Sequence, residues 1–288
     1  MKKLFLKLFM FISILALYMT CMYFINDYFI RNCKPKYPTV NCLVMGDSYL
    51  QHAIDPDQFY SLRNYSQAAE PYFITYWKLQ NFLENNDLDT LMLGFSYHNL
   101  SSVNDQKLHD PEWSFEMFRR IYPIEKFSTL KGMKVDWYEF NKIRLKYMCL
   151  FPIREHLNYV GEYSKQDKSN LAHVQKILDA HYKYKGEPAG FSFYSLQYLD
   201  SILVLCKEHQ IKPIFIASPL HKKYKDGVPT QFVNRFNYLK ADYSNRGVTV
   251  LDFSNAVYPG HDFLNPDHLN VNGARHFAID LKKALREQ

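Results

Sequence analysis

The sequence predicts an α/β protein, a three-layer α/β/α sandwich with a mostly parallel central sheet, carrying an N-terminal transmembrane helix and a helical insertion. Three observations lead there. Short apolar runs that stop at glycine or serine alternate with helix-length stretches, the pattern of βαβ units whose sheet is covered on both faces. An uncharged run, Leu8–Ile25, stands behind Lys2, Lys3 and Lys7. Residues 101–191 then interrupt the alternation with an aromatic and basic stretch that shows no strand.

Leu8–Ile25 is just long enough to span a hydrocarbon core of about 30 Å. The lysines before it favour a cytoplasmic amino terminus, with the remainder of the chain outside. A cleaved signal peptide is the competing reading, but no small-x-small site follows the apolar run. Leu17-Tyr18-Met19-Thr20-Cys21 is a poor lipidation site, because bulky Tyr18 and Met19 precede Thr20. A buried N-terminal helix is the third reading. The division expected is a cytoplasmic tip and anchor over 1–30, a linker over 31–39 and one large domain over 40–288.

Within that domain, Val40–Met45 reads as a buried strand closed by Gly46, and residues 57–65 as irregular. Pro71–Asn85 has helical aromatic and leucine spacing, with Pro71 suited to a first turn. Asp89–Gly94 is a second strand. Phe193–Gln210 is a helix, and Lys212–Ala217 is a strand stopped by Ser218-Pro219. Phe232–Asn245 (helix), Val248–Phe253 (strand) and Val271–Arg286 (helix) complete the order. A structureless loop as long as 101–191 is rare in a compact domain. The stretch is therefore expected to be a mostly helical insertion beside the strand ends, walling a pocket, or else a remote extra layer.

The composition excludes several classes. With 47% hydrophobic and 17% aromatic residues the chain is neither disordered nor low-complexity. The net charge of +6 is partly that of the anchor lysines, and the other basic residues are interspersed with acidic ones, so nucleic acid is not an expected partner. Cys21, Cys33, Cys42, Cys149 and Cys206 show no metal-ligand spacing. Cys33 and Cys42 allow a bridge in an oxidising compartment, with unpaired buried thiols as the alternative. His261-Asp262 lacks a third ligand at a useful spacing, and no phosphate-binding glycine loop is present. Neither a metal nor a cofactor is expected.

Ser48 stands where the first apolar run gives way to a turn, in Gly46-Asp47-Ser48, and His268 precedes the closing helix in Asn265-Pro266-Asp267-His268. A serine becomes a nucleophile only when a base takes its proton, and geometry rather than spacing makes such a pair. Asn64-Tyr65-Ser66-Gln67-Ala68-Ala69 and Leu93-Gly94-Phe95-Ser96 fall between them.

These four segments resemble the blocks of the SGNH/GDSL hydrolase superfamily, and the chain is similar in particular to its membrane-tethered bacterial envelope members. The resemblance implies a flavodoxin-like sandwich and a serine acyl esterase or O-acyltransferase. Its substrate would be an acylated carbohydrate outside a bacterial cytoplasmic membrane, with the bilayer contacted through residues 8–25. It also implies Ser48 as nucleophile, His268 as base, and an oxyanion hole from Ser48, Ala69, Gly94 and Ser96. Three positions depart from the pattern. Ala69 replaces a glycine, Ser96 replaces an asparagine, and Asn265 stands where an aspartate is usual, which leaves Asn265 and the adjacent Asp267 as alternative partners of His268. His98, Asn99 and His52 are candidate pocket residues, with satisfied loop positions as the alternative. Asp47 is expected to brace the turn, and Glu70 to favour the start of a helix. The departures also define the rival function, a catalytically inactive scaffold or glycan-binding protein with the same fold.

Overall fold

The computed structural model describes all residues except 33, 35, 125–126, 153–158 and 288. The Cys33–Cys42 alternative thus involves a residue outside the described set. The helices are α1 (Lys2–Asn32), α2 (Ser48–Ala53), α3 (Tyr72–Leu83), α4 (Pro111–Ile121), α5 (Trp137–Arg144), α6 (Val174–Tyr182), α7 (Phe193–Glu208), α8 (Lys222–Lys225), α9 (Thr230–Asn245) and α10 (Val271–Arg286). The strands are β1 (Cys42–Met45), β2 (Leu62–Asn64), β3 (Thr90–Gly94), β4 (Lys183–Tyr184), β5 (Glu187–Pro188), β6 (Lys212–Ala217), β7 (Thr249–Asp252), β8 (Phe263–Asn265) and β9 (His268–Leu269). Two compact units result, one of residues 1–36 and 107–159, the other of residues 37–106 and 160–288.

The larger unit holds a parallel sheet in the order β2-β1-β3-β6-β7, with two small antiparallel hairpins, β4-β5 and β8-β9. Parallel strands are covered on both faces and so read as continuous apolar runs, while successive side chains point to opposite faces. Leu43, Met45, Leu91, Leu93 and Phe215 accordingly pack with α3, α7 and α9. Val44, Met92, Ile214 and Ile216 pack on the other face with α2 and α10. Three layers follow from this alternation. Ser192 caps α7 by accepting from Ser195 N, and Asn270 caps α10 by accepting from Asn272 N and Gly273 N.

Two local expectations change. Residues 57–65 are not wholly irregular, since Leu62–Asn64 forms the edge strand β2. Its Leu-Arg-Asn sequence carries no apolar run, because an edge strand of three residues needs little buried surface. Residues 101–191, read without a strand, contain the β4-β5 hairpin. That stretch also divides, 107–159 belonging with α1 and 160–191 with the sheet.

In the smaller unit, Asp110 and Asp136 cap α4 and α5 through their side chains, satisfying N–H groups that a helix start leaves open. Phe118 and Phe140 bring these two helices together, with ring centroids 5.4 Å apart. A π-helical turn, Leu145–Leu150, continues α5. α1 is long and apolar enough to cross a membrane, and Asn26 is its one buried residue among those described.

Candidate active site

Ser48 is placed by the turn that closes β1. Gly46 has φ +147°, and a Cβ there would lie 3.2 Å from both the Cα and the N of Gly94, so only glycine lets the tails of β1 and β3 approach so closely. Asp47 then caps α2, its Oδ1 accepting from Tyr49 N at 3.0 Å, and Ser48 becomes the first helical residue. The first N–H groups of a helix have no partner within it. The other oxygen of Asp47 takes His98 Nε2 at 2.5 Å and Asn99 Nδ2 at 2.6 Å. Asn99 Oδ1 in turn accepts from Ser96 N at 2.9 Å. One buried carboxylate thereby ties the turn after β1 to the turn after β3. Burial pushes its pKa up, but His98, the Tyr49 N–H and Asn99 outweigh that and hold it well below the usual carboxylate range.

His268 is placed by the β8-β9 hairpin. Asn265 and His268 are paired across it, and Pro266-Asp267 makes the turn. The Asn265 side chain folds over this turn, its Oδ1 accepting from Asp267 N at 3.3 Å and His268 N at 2.9 Å, which fixes which end of the amide faces inward. The same Oδ1 lies 3.0 Å from His268 Nδ1. Nδ1 therefore carries the proton, leaving Nε2 as an acceptor 2.7 Å from Ser48 Oγ. Asp267 Oδ1 stands 3.3 Å from Nδ1, and its Oδ2 lies 3.9 Å from His181 Nε2. Burial disfavours the charged His268 ring, yet the Asp267 carboxylate overcomes this and raises its pKa. Asp267 is itself 1% exposed. Burial pushes its pKa up, and His268 more than reverses that.

The segment after β2 is pinned from three sides. Asn64 Nδ2 reaches the carbonyls of Leu50 and Ile54 at 2.9 and 2.8 Å, joining this segment to the end of α2. Glu70 does more than favour a helix start, because its carboxylate accepts from Lys78 Nζ at 2.6 Å and Thr75 Oγ1 at 2.7 Å. Lys78 also donates to the Tyr65 carbonyl at 2.6 Å, and both members of this ion pair are buried. Gly161 lies against the same segment, where a Cβ would fall 2.2 Å from the carbonyl oxygens of Tyr65 and Ser66. Held this way, Ala69 adopts φ +60°, the left-handed conformation that a glycine would take without strain.

A cavity of about 500 Å³ opens against His268, Asn265 and Asp267, and α6 contributes Lys176, Ile177 and His181 to its wall. The candidate residues separate into two groups. Ser48, His268, Asn265 and Asp267 come together, and His52 lies beside them with its ring centroid 5.1 Å from that of His268. Burial and the neighbouring His268 hold His52 down at about 4. His98 and Asn99, candidates for the pocket, turn to Asp47 instead. The Tyr49 ring neighbours both sides, 4.0 Å from His98 and 5.2 Å from His268. Gly94 accepts the Tyr72 hydroxyl at 2.7 Å, and among the described residues no hydrogen bond joins Gly94, Ser96, His98 or Asn99 to Ser48. His181 joins the site from α6. It stacks on His98 at 4.7 Å and meets the Tyr224 hydroxyl at 2.7 Å, and nothing in its local sequence marks it.

Such an arrangement can withdraw a serine proton and stabilise the resulting imidazolium. Residues 141–288 match a protein-family model. The chain belongs to that family. No curated protein matches it by sequence. Among solved structures, similarity is found to a Streptococcus pneumonia protein described as a platelet activating factor, at 10% identity, TM-score 0.43, and coverage of 97% of this chain and 98% of that one. It is found to a Bacteroides fragilis protein described as an acylhydrolase, at 13% identity, TM-score 0.41, and coverage of 91% and 94%. It is also found to a GDSL-like lipase of Bacteroides thetaiotaomicron, at 10% identity, TM-score 0.44, and coverage of 92% and 98%. Likeness at this level carries no argument about chemistry, since one fold serves many reactions.

Proposed function

We propose that the chain is a serine-dependent acyl ester hydrolase or O-acyltransferase of the SGNH/GDSL kind. Its substrate would be an extracytoplasmic, carbohydrate-containing molecule bearing an acetyl or other short acyl group. The observation that carries this reading is the 2.7 Å contact between Ser48 Oγ and His268 Nε2, with Asn265 and Asp267 both at the far nitrogen. The sheet order adds support. Counted along the chain its strands run 2-1-3-4-5, as in flavodoxin-like sheets, which bind ligands beyond the carboxyl ends of the strands. Ser48 follows such an end.

In the proposed cycle Ser48 attacks the ester carbonyl while His268 takes its proton. Asn265 holds the ring in the tautomer that leaves Nε2 open, and Asp267 supplies the negative charge that stabilises the imidazolium. The two residues thus share the task that one aspartate performs in the usual block. Backbone N–H groups of Ser48 and Ala69 receive the oxyanion, each such donor being worth about 3 kcal/mol in favourable cases. His268 returns the proton to the departing hydroxyl, leaving an acyl-serine. Water then completes an esterase cycle, and a second sugar hydroxyl a transferase cycle. α1 anchors the chain, with the lysines of its first turns on the cytoplasmic side and the catalytic domain facing outward.

Labelling with an activated fluorophosphonate tests the reading. The chain is expected to label, Ser48→Ala to abolish labelling, and His268→Ala to slow it strongly. A second reading, a silent glycan-binding module, is favoured by the departures at Ala69, Ser96 and Asn265, Ser96 offering only a short hydroxyl where the family has an amide donor. A folded chain that never labels and turns over no aryl acetate would overturn the enzyme reading in favour of that alternative.

A further inference from the structure

The smaller unit contains a buried amide that catalysis does not use. Asn26, on α1, is fully buried, and its Nδ2 lies 3.1, 3.0 and 2.8 Å from the carbonyl oxygens of Tyr147, Met148 and Phe151. These belong to the π-helical turn Leu145–Leu150 and the residue after it. A helix end leaves its final carbonyls open, and in water the solvent satisfies them. In lipid no solvent is available, and each open carbonyl costs several kcal/mol unless protein supplies a donor.

A second contact sets the depth. The Tyr18 hydroxyl donates to the Leu150 carbonyl at 2.9 Å. Tyr18 and Asn26 are eight residues apart on α1, about 12 Å along its axis. Tyr18 falls inside the uncharged run Leu8–Ile25, so the turn it holds lies beside the part of α1 apolar enough for hydrocarbon. The turn has the matching composition. Leu145 and Phe151 are 43% and 56% exposed, and Met148 and Cys149 line a cavity of about 740 Å³ together with Tyr23 of α1 and Phe140. Tyr138, Arg144 and Lys142, the last paired with Glu139 at 2.8 Å, line the same cavity, and Lys146 is exposed on the turn itself; such aromatic and cationic side chains settle at the headgroup level.

We infer that Leu145–Phe151 lies in the bilayer beside α1, in the leaflet at that helix's carboxyl end, and that membrane phospholipid is the ligand of this face. Acyl chains contact Leu145, Phe151 and the cavity, while the headgroup phosphates meet Lys142, Arg144 and Lys146. Asn26 and Tyr18 make this burial tolerable by satisfying carbonyls that lipid cannot. The inference rests on the reading of α1 as a membrane anchor.

The test uses the full chain in phosphatidylcholine–phosphatidylglycerol vesicles. With Trp77, Trp113 and Trp137 replaced by phenylalanine, Leu145→Trp places the sole tryptophan at the turn, and Tyr238→Trp places it on the exposed face of α9 as a reference. The tryptophan at 145 is expected to be quenched several-fold more by lipids brominated in the acyl chain than by aqueous iodide, with the opposite order at 238. Tyr18→Phe, which leaves α1 apolar, is expected to raise iodide quenching at 145. Iodide quenching at 145 equal to that at 238, with the chain still resisting alkaline extraction, overturns the inference and leaves the anchor standing. Alkaline release of the chain overturns both.

Discussion

Replacing Asp267 by asparagine separates the two groups at His268 Nδ1. Asn265 keeps its hydrogen bond at 3.0 Å, so the tautomer and ring orientation survive. What is lost is a charge 3.3 Å from the ring, worth about 5 kcal/mol of interaction with imidazolium at an effective dielectric constant of about 20. The new amide dipole and local relaxation return part of that, leaving about 3–4 kcal/mol, or a roughly 10²–10³-fold loss in kcat/KM. The pH profile gives an independent reading. A general base must be neutral, so kcat/KM falls as pH drops through the pKa of His268. Burial lowers that pKa and Asp267 raises it, with a net upward shift. Removing the carboxylate leaves the burial, and the acidic limb must move to lower pH even as the rate falls. The assay is hydrolysis of an aryl acetate between pH 5 and 8, on the parent and on Asp267→Asn. A limb that stays in place with a rate within about threefold would refute the assignment of charge to Asp267 and leave Asn265 as sole partner.

Three further outcomes can be checked on the same preparation. His52, held at about 4, stays neutral across the working range, so His52→Gln is expected to leave the acidic limb unmoved; a shifted limb would show that it titrates with His268. Ala69→Gly relieves a left-handed backbone but loosens the unfolded chain, for a net gain of a few tenths to about 1 kcal/mol, or up to roughly 2–4 °C in Tm. A lower Tm would mean that the Ala69 methyl packs usefully. Lys78→Met strands the buried Glu70 carboxylate and is expected to cost about 3–5 kcal/mol in thermal denaturation, with much of the loss recovered on adding Glu70→Gln. No recovery in the double variant would locate the cost in packing rather than charge.

The sheet was readable where burial demands it. β1, β3 and β6 are enclosed on both faces, and their apolar runs, stopped by Gly46, Gly94 and Ser218, announce them. β2 escaped because an edge position asks nothing apolar of Leu-Arg-Asn. The serine and histidine could be nominated because each sits at a break between elements, where chain direction is written in glycine, proline and asparagine. The partner of His268 could not be chosen, since Asn265 and Asp267 are both within three residues and only the hairpin's pairing decides what faces the ring. His181 was invisible for a different reason. It reaches the site by the packing of α6, and its distance from Asp267 is a property of tertiary placement with no local signal. The reach of His98 was likewise hidden, because an imidazole serving a buried carboxylate and one lining a pocket look alike in one dimension.

The serine helix α2 and the helix that follows the histidine, α10, share one apolar cluster, Leu50 and Ala53 packing with Phe277 and Leu281. The proposed nucleophile and base, Ser48 and His268, are therefore brought together from positions 220 residues apart, and neither half has a local route to the other. On the proposed function, a chain emerging from the ribosome would expose its serine early and activate it only once the segment around residue 281 had arrived and docked. Chemistry would thereby be timed to the completion of folding, and a stalled or clipped chain lacking that helix would carry a serine with no reactivity to misdirect.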